Sequence, residues 1–293
     1  MDFNTKENKT VIGVDIGGSH ITVGLVDIEE HKFIENTLIR KSVNGDGSSE
    51  DILEAWTAAI MKVIKLYSEN IKHIGIAMPG PFDYKQGISW MQNMNKFENL
   101  YGINIKQKLS EKLNIPQNHI FFRNDAEAFL AGEIACGAAR GFDNAIGITI
   151  GTGLGTAVHK NGKTKDVAMG VNTPFADGVA EDYISTRWFV KRWLQVSGKN
   201  IEGVKEFTEI MKEDSRAKNI FKEFIDNLEK FLAIFIIKEN TPDIIIIGGN
   251  IANALTDYFP EMERNLQKEF SKIILRKAEL GENAALIGAA FSD

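Results

Sequence analysis

The chain has a single cysteine, Cys136, in 293 residues. One thiol excludes an internal disulfide and any multi-cysteine zinc site. Cys136 falls among small residues in the helix expected after Asp125, and it reads as a core residue rather than a nucleophile. Positive charge is also scarce, with 34 Lys and Arg against 40 Asp and Glu and a net charge of −6. No dense basic run is present, and nucleic-acid binding needs a concentrated cationic patch to displace phosphate counterions. No nucleic-acid partner is therefore expected. Long apolar runs are missing too. Phe231–Ile237 and Ile244–Ile247 are far shorter than the ~20 residues needed to span a bilayer. Met1 to Thr10 are polar and charged, without the apolar centre of a signal peptide. These absences lead to the expectation of a cytoplasmic protein without membrane contact.

What remains is an ordinary soluble composition, 43% apolar and 25% charged, long enough for two lobes with their own cores or one large α/β domain. Val11–Ile16 is a β-branched strand, Gly17-Gly18-Ser19 a turn, and Ile21–Asp27 a second strand, together a hairpin. Such a turn is either a plain connection or a cradle of bare N–H groups for a phosphate. Asp15, closing the first strand beside it, is well placed to hold a hydrated magnesium ion. A third strand is expected at 33–43. A helical stripe follows within 51–69 at Ile52, Leu53, Trp56, Ala59, Ile60, Val63, Ile64 and Tyr67. The strand Ile71–Met78 then runs into Pro79-Gly80-Pro81.

The stretch Ile120 to Glu133 reads as a strand end, a polar break and an alanine-rich helix. Asn124 and Asp125 at the break are an N-cap signal. A carboxylate there, at the end of a strand and at the positive end of a helix, is also a mount for a general base. Further on, Gly151-Thr152-Gly153-Leu154-Gly155 is followed by strand residues rather than a helix. The dinucleotide fingerprint therefore fails and a second glycine-tipped hairpin is expected. Two such hairpins, about 135 positions apart, suggest two related halves. The segment 160–178 is loop-like, while 180–194 and 202–238 are helical in pattern. Ile244–Ile247 is a buried strand ending in Gly248-Gly249, either a tight turn into a helix near Ile251 or a place where backbone approaches a planar ligand.

Six motifs in this order resemble the ROK family of sugar kinases. They are Val14-Asp15-Ile16-Gly17-Gly18-Ser19, Gly75-Ile76-Ala77-Met78-Pro79-Gly80-Pro81, Asn124-Asp125-Ala126, Gly151-Thr152-Gly153-Leu154-Gly155, Ile247-Gly248-Gly249-Asn250 and Gly281-Glu282-Asn283-Ala284-Ala285. The resemblance spans essentially the whole chain. It implies an α/β, two-lobed actin-like ATPase (ribonuclease H-like) fold with an interlobe cleft. The small lobe would be residues 1–122, with the C-terminal helix 279–293 packing back on it, and the large lobe 123–278.

The same resemblance implies ATP-dependent phosphorylation of a sugar hydroxyl, with Asp125 as base and Asp15 positioning Mg2+. Gly17, Gly18 and Ser19 would hold the ATP phosphates together with Gly151, Thr152 and Gly153, and Gly248 and Gly249 would pass the adenosine. Asn124 and Glu181 would contact the sugar, as would either Asn95 or Asn99. A homodimer is implied as well.

The chain departs from the family pattern in two places. The family's three-cysteine zinc site cannot form with Cys136 alone, so no zinc is expected. In the sugar-binding loop the family uses a Glu and a Gly-His pair, yet residues 161–179 contain neither Glu nor His. One register puts Met169 and Asn172 at those positions, the other Ala168 and Val171; Asn172 retains hydrogen-bonding capacity for a sugar hydroxyl. A sensor that binds sugar or nucleotide without turnover is the alternative. The family's repressors carry a helix-turn-helix before the first hairpin, and only ten residues precede Val11.

Overall fold

The computed structural model describes residues 9–67, 71–93 and 96–292. The first β-branched run forms β1 (Thr10–Ile16), antiparallel to β2 (His20–Asp27), with Asp15 opposite Thr22. The strand expected at 33–43 is two pieces, β3 (Lys32–Phe33) and β4 (Ile39–Ser42). The cause is local. Asn36 turns at φ 67°, and Thr37 Oγ1 accepts from Leu25 N at 3.0 Å while donating to the Ile34 carbonyl at 2.6 Å. A side chain thus satisfies groups that a continuous strand would have paired.

Helix α1 (Ser49–Leu66) starts at Ser48, whose hydroxyl accepts from Asp51 N, and it buries the stripe from Ile52 to Ile64. Next come β5 (Ile71–Met78), the short hairpin β6 (Phe82–Asp83) and β7 (Ile88–Ser89), and α2 (Ile105–Leu113). β8 (Ile120–Asn124) pairs parallel to β5, with Met78 opposite Asn124, and leads directly into α3 (Asp125–Cys136). The sheet order is β3-β2-β1-β5-β8, with β4 also on β2. Cys136 ends α3 partly exposed rather than in the core.

The second sheet opens the same way. β9 (Asn144–Ile150) and β10 (Leu154–Lys160) form an antiparallel hairpin, extended by β11 (Lys163–Asp166). The segment expected to be loop holds β11 and also α4 (Met169–Asn172) and β12 (Pro174–Phe175), which pairs with β13 (Gly178–Val179). Each long helical pattern is divided by a residue that caps the next helix. Ser185 separates α5 (Ala180–Tyr183) from α6 (Thr186–Ser197), and Asp214 separates α7 (Val204–Glu213) from α8 (Ser215–Lys238). Both residues have extended backbone and accept from an amide of the following turn. Phe189, Phe207, Phe221 and Phe224 of these helices form one aromatic core.

β14 (Ile244–Gly248) is followed by 3₁₀ turns at Asn250–Asn253 and Thr256–Tyr258 in place of the helix expected near Ile251. α9 (Phe259–Gln267) and β15 (Ile274–Lys277) come next. The order is β11-β10-β9-β14-β15, so each sheet is an antiparallel hairpin followed by two parallel strands. This is the internal repetition that the two glycine hairpins suggested.

Packing divides the chain into Met1–Gly137 with Glu282–Asp293, and Ala138–Gly281. Helix α3 therefore belongs to the first unit, although the sequence boundary at 122 assigned it to the second lobe. The reason is α10 (Ala284–Ala290), which packs on α3, β1 and β5 through four glycines. A methyl at Gly13 would lie 2.3 Å from the Leu286 carbonyl oxygen, and at Gly75 1.8 Å from that of Ala289. At Gly132 it would lie 2.1 Å from the Ala284 oxygen, and at Gly288 1.8 Å from that of Ala128. Arg123 binds the end of α10, donating to the Gly288 and Phe291 carbonyls at 3.2 and 3.3 Å. Among the described residues no helix is long and apolar enough to cross a membrane.

Backbone-to-backbone contacts of this kind leave no flexible side chain to move aside. Gly288→Ala is expected to destabilise the first unit by about 2–3 kcal/mol. A urea melt would show it, and an unchanged midpoint would contradict the seating of α10.

Candidate active site

In the first unit, Asp15 is the penultimate residue of β1 and Asp125 the first of α3. Asp15 is half-buried, and that burial together with the charge of Asp125 raises its pKa to about 7. Arg40 opposes the shift and Glu282 adds to it; these two form an ion pair. The two aspartates are close enough for each to feel the other's charge.

The cap and the candidate base prove to be different residues. Asn124 is the N-cap, its Oδ1 accepting from Ala126 N at 2.8 Å and Glu127 N at 3.2 Å. Asp125 is exposed, and its Oδ1 accepts from the same Ala126 N–H at 2.9 Å. The other end of the Asn124 amide donates to the Tyr84 hydroxyl at 3.1 Å, so both ends are engaged within the protein. Nothing in the sequence pattern pointed to Tyr84.

The first hairpin turn is closed by Gly17 N donating to the His20 carbonyl at 2.9 Å. Gly18 and Ser19 form its exposed tip; the Ser19 hydroxyl lies 2.7 Å from His20 Nδ1, and the Ser19 carbonyl accepts from Val43 N. Asn99 ties down the nearby loop, donating to the Gly47 carbonyl at 2.8 Å and that of Asp46 at 3.3 Å. Asn95, the other candidate for a sugar contact, lies outside the described residues.

In the second unit Gly151 N likewise donates within its own turn, to the Gly153 carbonyl at 3.0 Å, and Thr186 N at the start of α6 donates to the Gly151 carbonyl. Thr152 is the exposed tip. Glu181 presses on this turn. Its Oε2 accepts from Leu154 N at 2.8 Å and would lie 2.4 Å from a methyl at Gly153, and its Oε1 pairs with Arg187. Gly249 has φ +87°, and a Cβ there would lie 2.4 Å from the Ile150 carbonyl oxygen. The close approach that this glycine permits is thus to the protein's own backbone, with Gly248 paired to Thr149 beside it. A groove of about 1100 Å³ begins at Thr152 and runs past Asn250, Asn253 and Ala254 to Gly203 and Met211 at α7. The α7 wall had no sequence signal.

Helix α4 separates the residues of the altered loop. Met169 is in the core, and Gly170 packs so closely that a Cβ would lie 2.2 Å from the Leu154 oxygen. Val171 and Asn172 are exposed. Among the described residues no group of three or more His, Cys, Asp or Glu gathers as a metal cluster would.

Two sheets of the same topology, each opened by a glycine-tipped hairpin, define a protein of the actin-like ATPase fold. The chain belongs to the ROK family, whose model matches residues 11–175 and 176–292. It is 25% identical over 320 residues to the glucokinase of Thermotoga maritima, covering 96% of both chains. It is 31% identical over 156 residues to the xylose repressor of Bacillus subtilis, covering 53% of this chain and 38% of the repressor. A ROK family glucokinase from Streptomyces griseus, solved with glucose and AMPPNP, superposes with a TM-score of 0.76 at 24% identity, covering 96% and 98% of the two chains.

The raised pKa of Asp15 has a direct consequence for stability. The folded state binds this proton more tightly than the unfolded chain, so its contribution is complete below pH ~4 and is lost as pH rises through about 7. Asp15→Asn is expected to be more stable than the parent by about 1–3 kcal/mol at pH 8, allowing for the solvent that still reaches the group, and nearly equal at pH 4. Thermal melts at the two pH values check this; a variant less stable at pH 8 contradicts it.

Proposed function

We propose that the chain is an ATP-dependent sugar kinase in which Asp125 is the general base. The observation that carries the reading is the placement of Asp125: exposed at the N-terminus of α3, capped independently by Asn124, and electrostatically coupled to Asp15. A sugar hydroxyl at Asp125 gives its proton to the carboxylate while its oxygen attacks the γ-phosphorus of ATP. A new O–P bond forms, the bond to the β,γ-bridging oxygen breaks, and ADP leaves. Such transfer asks the protein for alignment, charge neutralisation and one base.

Asp15 suits Mg2+. Its ionised form is disfavoured by burial and by Asp125, and a divalent cation reverses both penalties. Mg2+ needs only one or two carboxylates beside water and phosphate oxygens, so the lack of a larger cluster among the described residues is compatible with it. When bound, it would neutralise phosphate charge. Because Gly17 and Gly151 spend their N–H groups on their own hairpins, the turn residues left to meet phosphate are Gly18 and Ser19 in the first unit, and Thr152 and Gly153 in the second. The groove beyond Thr152 suits the nucleoside, and Gly248 and Gly249 lead into its wall at Asn250.

For the acceptor, Asn172 is exposed and can both donate and accept. Glu181 reaches a hydroxyl by exchanging Arg187 for it. Asn124 contributes through the helix it caps, and Asn99 through the loop it holds. A homodimer belongs to this reading on family resemblance alone.

One observation favours a second reading. The family's sugar-gripping carboxylate is replaced by Met169, which is buried, or in the other register by Ala168, as suits a protein that binds sugar without phosphorylating it. Turnover separates the two. Asp125→Asn is expected to lower kcat by about 10²–10⁴ with nucleotide and sugar binding retained by calorimetry. Undiminished turnover would remove Asp125 from the base role. Sugar binding by the parent protein without turnover of any hexose, aminosugar or ketose would establish the sensor.

A further inference from the structure

Tyr84 sits in the connection between β6 and β7, a turn fixed by its own hydrogen bonds. Asp83 Oδ1 accepts from Lys85 N at 3.1 Å and Gln86 N at 2.9 Å, and Gly87 N donates to the Asp83 carbonyl at 2.7 Å. The tyrosine ring packs against Phe82, with centroids 5.3 Å apart, and its hydroxyl is 3.2 Å from where a Cβ of Gly80 would be. The half-buried side chain thus places its oxygen at the end of β5, where Met78 pairs with Asn124.

From this oxygen a chain of hydrogen bonds leads to the candidate base. The Tyr84 hydroxyl donates to the Met78 carbonyl at 3.2 Å and accepts from Asn124 Nδ2 at 3.1 Å. Asn124 Oδ1 accepts from Ala126 N at 2.8 Å, and that same N–H is shared with Asp125 Oδ1 at 2.9 Å. The direction of every link is forced. Asn124 Oδ1 faces two backbone donors, so its nitrogen must face Tyr84; the hydroxyl then accepts from that nitrogen and sends its proton to Met78.

We propose that Tyr84 is a positioning residue for Asp125, acting through the Asn124 amide and the Ala126 N–H. Deleting the hydroxyl leaves the Asn124 nitrogen without an acceptor. The amide then rotates, the first turn of α3 loosens, and the Asp125 carboxylate loses the shared donor that aims it. The catalytic side of this inference rests on the kinase reading; the structural side does not.

The test compares Tyr84→Phe, Asn124→Ser and the double variant in the full chain. Serine at 124 keeps a cap acceptor but has no amide for Tyr84 to hold. Tyr84→Phe is expected to speed amide exchange at Ala126 and Glu127 about 5–10-fold, and to lower kcat about 3–10-fold with KM for ATP unchanged, the scale of one lost hydrogen bond. In the Asn124→Ser background the same substitution is expected to add nothing further to either quantity. Additive losses, or unchanged exchange at both amides, would overturn the proposal. Unchanged kcat alongside faster exchange would overturn its catalytic part. If Asp125→Asn itself leaves turnover intact, the kinase reading of Asp125 fails separately. The exchange data and the cycle then still decide whether Tyr84 holds the start of α3.

Discussion

The first unit depends on the seat of α10. Four glycines let this short helix lie with its backbone against β1, β5 and α3, at distances where any side chain would collide. Arg123, just before the candidate base, holds the carbonyls at its far end. The same three elements position the chemistry: β1 carries Asp15, β5 runs into the Pro79-Gly80-Pro81 turn, and α3 begins at Asp125. A segment more than 140 positions away in the chain therefore fixes how close two carboxylates stand. Close packing transmits small displacements, so a misplaced α10 would be felt at both.

The two carboxylates give the site its electrostatic character. A half-buried aspartate with another negative charge nearby is uncomfortable unless protonated or met by a cation, and the pKa of about 7 expresses that discomfort. Cores do not gain from such an arrangement, whereas a site that receives a metal–phosphate complex does. The glycine turns fit the same use, although each is less open than its sequence suggests. Gly17 and Gly151 close their own hairpins, and Glu181 braces the second turn from the side.

Local patterns were legible in the sequence and distant contacts were not. The β-branched strands, the stripe of α1 and both glycine hairpins follow from spacing alone, because period and turn chemistry act over a few residues. The breaks at Thr37, Ser185 and Asp214 escaped because each depends on one polar side chain replacing a backbone bond, inside a stretch whose apolar pattern continues. Asn124-Asp125 was recognisable as cap or base, but dividing those roles needed the Oδ1 distances. Gly249 drew attention as a ligand contact, while its conformation also serves the approach to Ile150. Tyr84, the α7 wall of the groove and the pairing of Glu181 with Arg187 arise from tertiary placement and leave no trace in spacing.

The altered loop gives the account its sharpest edge. Met169 is committed to the core, and α4 offers Val171 and Asn172 to its surroundings, so the grip on an acceptor differs from that implied by the family pattern. Whether the paired aspartates still work as a phosphotransfer centre is decided by following phosphorus. 31P NMR of the protein with Mg-ATP and a panel of hexoses, aminosugars and ketoses is predicted to show ADP appearing in step with a new sugar phosphomonoester resonance. An ATP spectrum that stays unchanged with every sugar, or that yields only ADP and inorganic phosphate, would contradict it.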